Sequence, residues 1–215
     1  MAIIIGDGSP EVIVGGFGDD TIIARGGDDV IVDLFGDNDI NGGPGDDIIL
    51  DGFGDSILEG RGGFDFISGG PGDDDIYGGA GSDFLSGGSG NDEIYGNGGR
   101  DVLLGNLGDD YLFGGGGDDT LIGGDGQDTL KGGSGSDVFL INTKNSDRIT
   151  DIIEDFETGV DQIRVAGSDG FRARIYFTGS NYLVALSDNN GRFAAFSSEN
   201  EIVASDIIPS DLEVV

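Results

Sequence analysis

A nine-residue period runs through most of this chain and constrains its fold more than any other feature. It extends from Gly6 to Leu140 as fifteen consecutive units without an insertion, such as GGFGDDTII at residues 15–23 and GGPGDDIIL at residues 42–50. Position 1 is glycine in twelve units, position 4 is glycine in fourteen, and position 6 is aspartate in twelve. Position 8 is Ile, Leu or Phe in all fifteen. A fixed period of this kind indicates stacked structural repeats.

Each position of the unit has a physical interpretation. Closely spaced glycines permit positive φ and close backbone approach, so positions 1 to 6 predict a tight loop. Positions 7 to 9, as in Thr21, Ile22 and Ile23, are β-prone, which predicts a short strand whose position 8 faces inward. Two units would form one 18-residue coil, and stacked coils would form two parallel sheets around a thin aliphatic core. An acidic, glycine-rich chain is otherwise typical of disorder, but disorder would impose no register on Ile and Leu.

Composition restricts the ligands and the chemistry that this chain can use. Its 215 residues include 42 acidic and 10 basic side chains, and the net charge of -32 disfavours nucleic acid and favours cations as partners. The chain has no cysteine and no histidine, which excludes disulfides, thiolate sites and the usual zinc sites. Oxygen ligands remain, and they suit calcium before magnesium. Without a histidine base or an activated nucleophile, we expect no enzymatic activity.

Targeting signals are weak at the start of the chain. No apolar run approaches the roughly 18 residues that span a bilayer. The opening MAIII is too short for the apolar region of a signal peptide and lacks preceding basic residues. If the protein is exported, we expect that it does not use a cleaved N-terminal signal.

The repeat unit resembles the pattern GGxGxDxUx of the RTX (repeats-in-toxin) family, and the resemblance covers residues 6–140. It implies an all-β, right-handed parallel β-roll in which each Ca²⁺ lies between the loops of successive coils. Position-6 aspartates and carbonyl groups of the glycine-rich turn would hold the ion. The resemblance also implies an extracellular protein, secreted or associated with the cell surface, that leaves through type I secretion machinery guided by an uncleaved C-terminal signal.

The position-6 residues fall into two columns, because loops on the same edge of the roll are two units apart in the sequence. We expect calcium along the first edge from Asp29 to Asp137 and along the second from Asp74 to Asp128. Sites around Asn38 and Ser56 should be weak or absent, because these residues replace aspartate in the second column. The candidate metal ligands are the twelve position-6 aspartates: Asp20, Asp29, Asp47, Asp65, Asp74, Asp83, Asp92, Asp101, Asp110, Asp119, Asp128 and Asp137.

Stacking the aspartates without metal would be unfavourable. Carboxylates about 5 Å apart repel by roughly 3 kcal/mol at an effective dielectric of 20. One buried aliphatic side chain contributes roughly 2–3 kcal/mol per unit, whereas each ordered residue costs roughly 1–2 kcal/mol in backbone entropy. We therefore expect calcium binding and folding to be a single event.

The two outer faces of the coils should differ in polarity. In the strands that follow the first column, positions 7 and 9 are mostly apolar, as at Val12, Val14, Ile48 and Phe66. The opposite strands carry charged residues at these positions: Asp39, Glu59, Asp75, Glu93 and Lys131. An apolar outer face should be covered, either by residues 141–215 folding over part of it or by a homodimer or partner contact.

A second feature lies on the second edge, where it overlaps the stretch that lacks position-6 aspartates. Phe17, Phe35 and Phe53 occupy position 3 in alternate units. Their rings are expected to stack and to stabilise the coils locally in place of metal.

The period stops after Leu140, which divides the chain into a β-roll at residues 1–140 and a C-terminal segment at 141–215. In that segment FRARIYF (171–177), NYLVALS (181–187) and GRFAAFS (191–197) predict antiparallel hairpins that would cap the open end of the roll. The stretch from Asp151 to Ile163 resembles the segment that follows RTX repeats. The ending at 211–215 resembles an acidic-then-hydrophobic secretion signal.

Two functions fit these features. The first is a stand-alone, secreted calcium-binding protein with a structural or cell-surface role. The second is the accessory folding and export module of a larger secreted enzyme of the metalloprotease, lipase or alginate epimerase type, whose catalytic domain would lie elsewhere.

Overall fold

The computed structural model describes residues 1–142, 150–157, 159–166, 172–178, 181–187 and 207–208, and this part of the chain contains strands and no helix. The strands of the repeat region are β1 (Ile3–Ile5), β2 (Val12–Val14), β3 (Thr21–Ile23), β4 (Val30–Val32), β5 (Asp39–Pro44), β6 (Ile48–Leu50), β7 (Ile57–Gly62), β8 (Phe66–Pro71), β9 (Asp75–Ala80), β10 (Phe84–Ser89), β11 (Glu93–Gly98), β12 (Val102–Leu107), β13 (Tyr111–Gly116), β14 (Thr120–Asp125), β15 (Thr129–Ser134) and β16 (Val138–Asn142). The later strands are β17 (Thr150–Ile153), β18 (Gln162–Ala166), β19 (Arg172–Thr178), β20 (Asn181–Ser187) and β21 (Ile207–Ile208).

The strands form two sheets, because the chain alternates between them at every unit. Strands β1 to β17 with odd numbers lie side by side in one sheet, called here the odd sheet, and strands β2 to β18 with even numbers form the even sheet. Neighbouring strands of the repeat region are parallel and offset by two repeat units, as in the pairing of Leu85 with Leu103. This arrangement confirms the parallel β-roll of about eight turns that the nine-residue period predicts.

The core lies between the two sheets and consists of two rows of apolar side chains, one row from each sheet. Every position-8 residue of the fifteen units is buried, from Ile13 to Phe139, and most are fully inaccessible to solvent. Each side chain lies against its counterparts one coil above and one coil below, so the core has no part that a single unit could form alone. The inward orientation of position 8 is confirmed.

The strands are longer than the sequence predicts in most of the roll. Strands β5 and β7 to β15 cover positions 7 to 9 and continue through positions 1 to 3 of the next unit, so the turn is confined to positions 4 to 6. The prediction of a loop over positions 1 to 6 was wrong for these coils. The glycines in these coils permit close pairing of neighbouring backbones instead of a loop. Gly79 pairs with Arg61, and their φ angles are 113° and 82°. A Cβ at Gly79 would collide with the Arg61 carbonyl oxygen.

Both sheets continue past Leu140 with a changed offset. Leu130 pairs with Ile153 in the odd sheet and Phe139 pairs with Ile163 in the even sheet, so the last coil is longer than the regular ones. Strands β17, β20 and β19 then pair antiparallel in that order, which confirms antiparallel pairing for two of the three predicted runs. The third run, at residues 191–197, lies outside the described residues, and closure of the roll by this segment stays a prediction.

The outer face of the even sheet is mostly apolar, and part of it is accessible to solvent. Val12 and Val14 are 75% and 65% exposed, and Ile48 and Phe66 are also exposed. The strands described after Leu140 lie beside the sheets as additional strands. No helix in the described part of the chain could cross a membrane.

Candidate metal centre

The turns place the position-6 residues in two columns, one along each edge of the roll. Asp29 directly precedes β4, so its column lies where the chain passes from the odd sheet to the even sheet. Asp20 directly precedes β3, and its column lies at the return. All twelve predicted aspartates are buried, with relative exposures between 0% and 4%. The fold therefore withdraws a row of carboxyl groups from water along each edge.

One carboxylate oxygen of each position-6 aspartate accepts a backbone hydrogen bond that links successive coils. Oδ1 of Asp65 accepts the N–H of Asp47 at 2.9 Å, and Oδ1 of Asp83 accepts the N–H of Asp65 at 2.9 Å. The same bond links successive coils of the second column, where Oδ1 of Asp92 accepts the N–H of Asp74 at 2.9 Å. These bonds fix the orientation of each carboxyl group and leave its second oxygen for another partner.

The second oxygen has no hydrogen-bond partner in eleven of the twelve aspartates. A buried polar atom without a partner costs roughly 1–3 kcal/mol, so eleven such atoms would cost as much as or more than the whole stability of roughly 5–15 kcal/mol that a domain usually has. A native fold with this many orphaned oxygens requires a cation or a proton beside each one. The Oδ2 atoms without a partner belong to Asp29, Asp47, Asp65, Asp83, Asp101, Asp119 and Asp137 of the first column and to Asp74, Asp92, Asp110 and Asp128 of the second.

Glycine carbonyl groups lie beside these oxygens. A Cβ at Gly60 would collide with Oδ2 of Asp65 and would lie 2.8 Å from the carbonyl oxygen of Gly78. We call this space, bounded by a position-6 Oδ2 and the position-1 carbonyl of the next coil, the glycine slot. The arrangement recurs at Gly69, Gly78, Gly96, Gly105 and Gly114.

The donor set fits calcium, which accepts carboxylate and backbone carbonyl oxygens in irregular shells. No three acidic side chains converge on one point among the described residues. A bound ion would therefore draw part of its shell from backbone oxygens, and the glycine slots supply such atoms. The Oδ2 atoms and the position-1 carbonyl oxygens are the groups that would hold it.

Burial controls the protonation of these carboxyl groups. It is the main cause that raises the pKa of the ten position-6 aspartates from Asp47 to Asp137, against the lowering effect of the backbone N–H that each Oδ1 accepts, and neighbouring carboxylates add to the rise in most of them. The pKa reaches about 7 for Asp65, Asp74, Asp92, Asp119 and Asp128 and about 6 for Asp47, Asp101, Asp110 and Asp137. Protons and cations therefore compete for the same oxygens near neutral pH.

These raised pKa values predict how the calcium-free chain responds to acid. A carboxyl group whose pKa is higher in the folded state stabilises that state below its unfolded pKa, and the contribution is lost as pH rises through the folded pKa. With folded values of about 6 to 7, the calcium-free chain should gain β structure as pH falls from about 7.5 to about 5. Circular dichroism in metal-stripped buffers measures this, and identical spectra at both pH values would contradict it.

The N-terminal part of the second edge departs from the repeat. Oδ1 of Asn38 accepts the N–H of Asp20, and the hydroxyl oxygen of Ser56 accepts the N–H of Asn38, both at 3.0 Å. These residues preserve the backbone ladder but supply no carboxylate. Asp20 also differs, because its Oδ2 accepts the N–H of Gly16 at 2.9 Å and its Oδ1 accepts the N–H of Ala2.

Aromatic stacking accompanies this departure. The Phe17 and Phe35 rings are stacked with centroids 5.2 Å apart, and the Phe35 and Phe53 rings are stacked at 6.2 Å. The ladder predicted from the sequence is confirmed. It lies on the edge where Asn38 and Ser56 replace aspartate.

Both columns continue beyond the repeats through two aspartates that the period does not include. Oδ1 of Asp151 accepts the N–H of Asp128 at 3.3 Å, and Oδ1 of Asp161 accepts the N–H of Asp137 at 2.9 Å. Oδ2 of Asp161 accepts the N–H of Glu157 at 2.7 Å, so this carboxylate ends its column with both oxygens bonded. The sequence signal was present: each aspartate stands two positions before a buried isoleucine, as position 6 stands before position 8.

Position 5 forms a further ladder that the sequence analysis missed. Oδ1 of Asp46 accepts the N–H of Phe64 at 2.7 Å, and Oδ1 of Asp55 accepts the N–H of Asp73 at 2.9 Å. These bonds are exposed to solvent and run from each coil to the next. The position-5 residues therefore stabilise the turns from outside, while the position-6 residues line them inside.

The fold and the site together define the class of this protein. It is a repeat solenoid whose turns present buried oxygen ligands to metal ions. The family model for the RTX calcium-binding nonapeptide repeat matches residues 5–32, 25–55, 34–67, 50–85, 77–112 and 104–139. The chain belongs to this family, and its repeats are calcium-binding. A search of the curated proteins found no match. The repeat solenoid is a non-catalytic domain.

Proposed function

We propose that this chain is a secreted calcium-binding RTX protein whose β-roll folds when calcium binds, and that it acts as a structural component outside the cell or on its surface. The observation that carries the proposal is the set of eleven buried Oδ2 atoms that lack a hydrogen-bond partner. Calcium would bind beside Oδ2 of Asp29 to Asp137 along the first edge and of Asp74 to Asp128 along the second. Circular dichroism with and without calcium tests the proposal.

The twelve position-6 aspartates differ in whether they have a carboxylate oxygen free to bind an ion. In the eleven with an orphaned Oδ2, the carboxylate has a free acceptor inside the turn. Asp20 has both oxygens bonded to backbone N–H groups, so a cation there would share its oxygens with these donors. We propose the eleven as the principal ligands and treat Asp20 separately below.

The calcium requirement supports an extracellular location. Extracellular calcium modules bind at roughly 10⁻⁴–10⁻³ M, far above the free concentration in cytoplasm. A chain with a net charge of -32 would remain unfolded at low calcium, because its self-repulsion opposes compaction. It would then fold on reaching calcium outside the cell, which suits type I secretion of an unfolded chain.

The division of the chain supports an export role for its C-terminal part. The regular offset of two repeat units ends at Leu140, and the next pairings, Leu130 with Ile153 and Phe139 with Ile163, span more of the chain. We propose that residues 1–140 are the calcium-loaded module and residues 141–215 are a β-rich cap with the secretion segment. The alternative is an accessory module of a larger secreted enzyme, and determination of the surrounding open reading frame separates the two.

The apolar outer face of the even sheet supports a second proposal, a homodimer formed through this face. In calcium, sedimentation should give twice the chain mass of 22.0 kDa. Ile48→Lys should restore the monomer, because it places a charge on the face where Ile48 is 41% exposed. Ile57→Lys is the matched control, since Ile57 is 44% exposed on the odd sheet. A monomeric unmodified chain at high concentration would exclude the dimer.

A further inference from the structure

Two units of the second edge exchange the residue types at positions 1 and 6. Asp33 and Asp51 stand at position 1, where twelve of the fifteen units have glycine, and the same two units have Asn38 and Ser56 at position 6. In most other units a Cβ at position 1 would collide with the position-6 carboxylate, as Gly60 would with Asp65, although Ala24 stands at position 1 of the unit that contains Asp29. A side chain as large as aspartate at position 1 would therefore compete for space with an aspartate at position 6 of its own unit.

The Asp33 side chain is directed into the glycine slot of the preceding coil. A Cβ at Gly15 would collide with the Asp33 carboxylate, so this group takes the place that a glycine carbonyl has in the regular slots. Asp33 is 1% exposed, and neither of its carboxylate oxygens has a hydrogen-bond partner of good geometry, although the N–H groups of Leu34 and Phe35 lie near enough to lower its pKa. It differs from the position-6 aspartates in this respect, because one oxygen of each of those accepts a backbone N–H of the preceding coil.

Asp20 lies beside the same slot. Its Oδ2 accepts the N–H of Gly16 at 2.9 Å, and a Cβ at Gly16 would lie 3.3 Å from that oxygen. The Met1 ammonium group is 3.5 Å from Oδ1 of Asp20 and is itself 80% exposed. Burial is the largest cause that raises the pKa of Asp33, and the charges of Asp20 and Asp51 add to the rise. The carboxylates of Asp33 and Asp20, which belong to successive coils, are therefore close enough to repel each other.

In the next coil, the position-1 aspartate has a hydrogen-bond partner. Oδ1 of Asp51 accepts the side-chain N–H of Asn38 at 2.8 Å. The amide of Asn38 thus partners the carboxylate that enters its slot. Asp33 has no such amide, since the position-6 residue of the coil that it enters is Asp20.

We propose that Asp33 and Asp20 bind a calcium ion beside Gly15, at an edge position where the repeat pattern predicts weak or absent sites. Asp33 contributes two unpartnered carboxylate oxygens, and Asp20 contributes the remaining lone pairs of its bonded oxygens. The inference rests on the proposed function, since it assumes that the glycine slots of this roll take calcium. The site would add one ion to those of the regular repeats and would anchor the coils that carry the phenylalanine ladder.

The test counts bound calcium in the full chain by equilibrium dialysis, with elemental analysis of the protein. Asp33→Asn keeps the shape of the side chain and removes its charge, and it should lower the count by about one ion per chain. Asp39→Asn is the matched control, because Asp39 belongs to the same unit but is exposed on the outer face. This control should leave the count unchanged.

The outcomes separate this site from the proposed function. No calcium on the unmodified chain would overturn both, whereas calcium on the unmodified chain with an equal count in Asp33→Asn would overturn this site alone. If Asp33→Asn fails to fold, anomalous diffraction from crystals of the unmodified chain in calcium decides. A peak beside Gly15 supports the site, and its absence there with peaks at the other slots overturns it.

Discussion

Chelating calcium at neutral pH should convert the β-roll into a largely unfolded chain. Without a cation, eleven buried Oδ2 atoms would have no partner, and the position-6 carboxylates would repel one another along two columns. With pKa values of about 6 to 7, most of these carboxyl groups are only partly protonated at neutral pH, so they keep part of their negative charge. The aliphatic core contributes only one side chain per repeat unit, which is too little to offset the entropy of ordering the unit.

Far-ultraviolet circular dichroism during a calcium titration measures this effect. The calcium-free chain should lack the β signal, and the signal should appear cooperatively as calcium is added. Magnesium at the same concentration is the control, and it should restore much less, because Mg²⁺ requires regular octahedral geometry and retains its water. A complete β spectrum in excess chelator at neutral pH would show that the fold does not depend on calcium.

Replacing Gly99 by alanine should destabilise the roll more than most single changes. Gly99 has φ of 138°, a conformation that side chains rarely adopt, and its Cβ would collide with the carbonyl oxygen of Gly81 one coil below. The two coils would have to separate there, which would weaken the hydrogen bond from the Gly81 N–H to the Gly98 carbonyl, now 2.8 Å. We expect a loss of about 3 kcal/mol or more.

Thermal unfolding in saturating calcium measures the Gly99→Ala effect. A loss of about 3 kcal/mol should lower the midpoint by roughly 6–12 °C in a chain of this size. Gly98→Ala is the matched control, because a Cβ at Gly98 would meet its nearest neighbour at 3.8 Å and Gly98 has no positive φ. Equal midpoints for the two variants would show that the stacking of position-4 glycines does not limit the stability of the roll.

The sequence predicts the parts of the fold that depend on a strict period. Position 8 is apolar in every unit, so its burial and the pairing of alternate units follow from the pattern. The two columns follow in the same way, because a coil of two units must return position 6 to the same edge. Phe17, Phe35 and Phe53 stack for the same reason of register.

Features that depend on distances within one turn could not be predicted from the period. The extension of strands through positions 1 to 3 arises from close backbone approach, which the presence of glycine permits but does not specify. The role of Asp33 required the direction of its side chain into the slot at Gly15. Asp151 and Asp161 were missed because the offset between coils lengthens after Leu140, although their relation to Ile153 and Ile163 was visible.

The central claim is that the orphaned Oδ2 atoms hold calcium between successive coils. Anomalous difference maps from crystals grown in calcium test it most directly, since they locate the ions independently of any folding measurement. The account predicts peaks beside Oδ2 of Asp29 to Asp137 on one edge and of Asp74 to Asp128 on the other, spaced by about 4.8 Å as the strands are. Maps of the intact roll without peaks along these edges would contradict it.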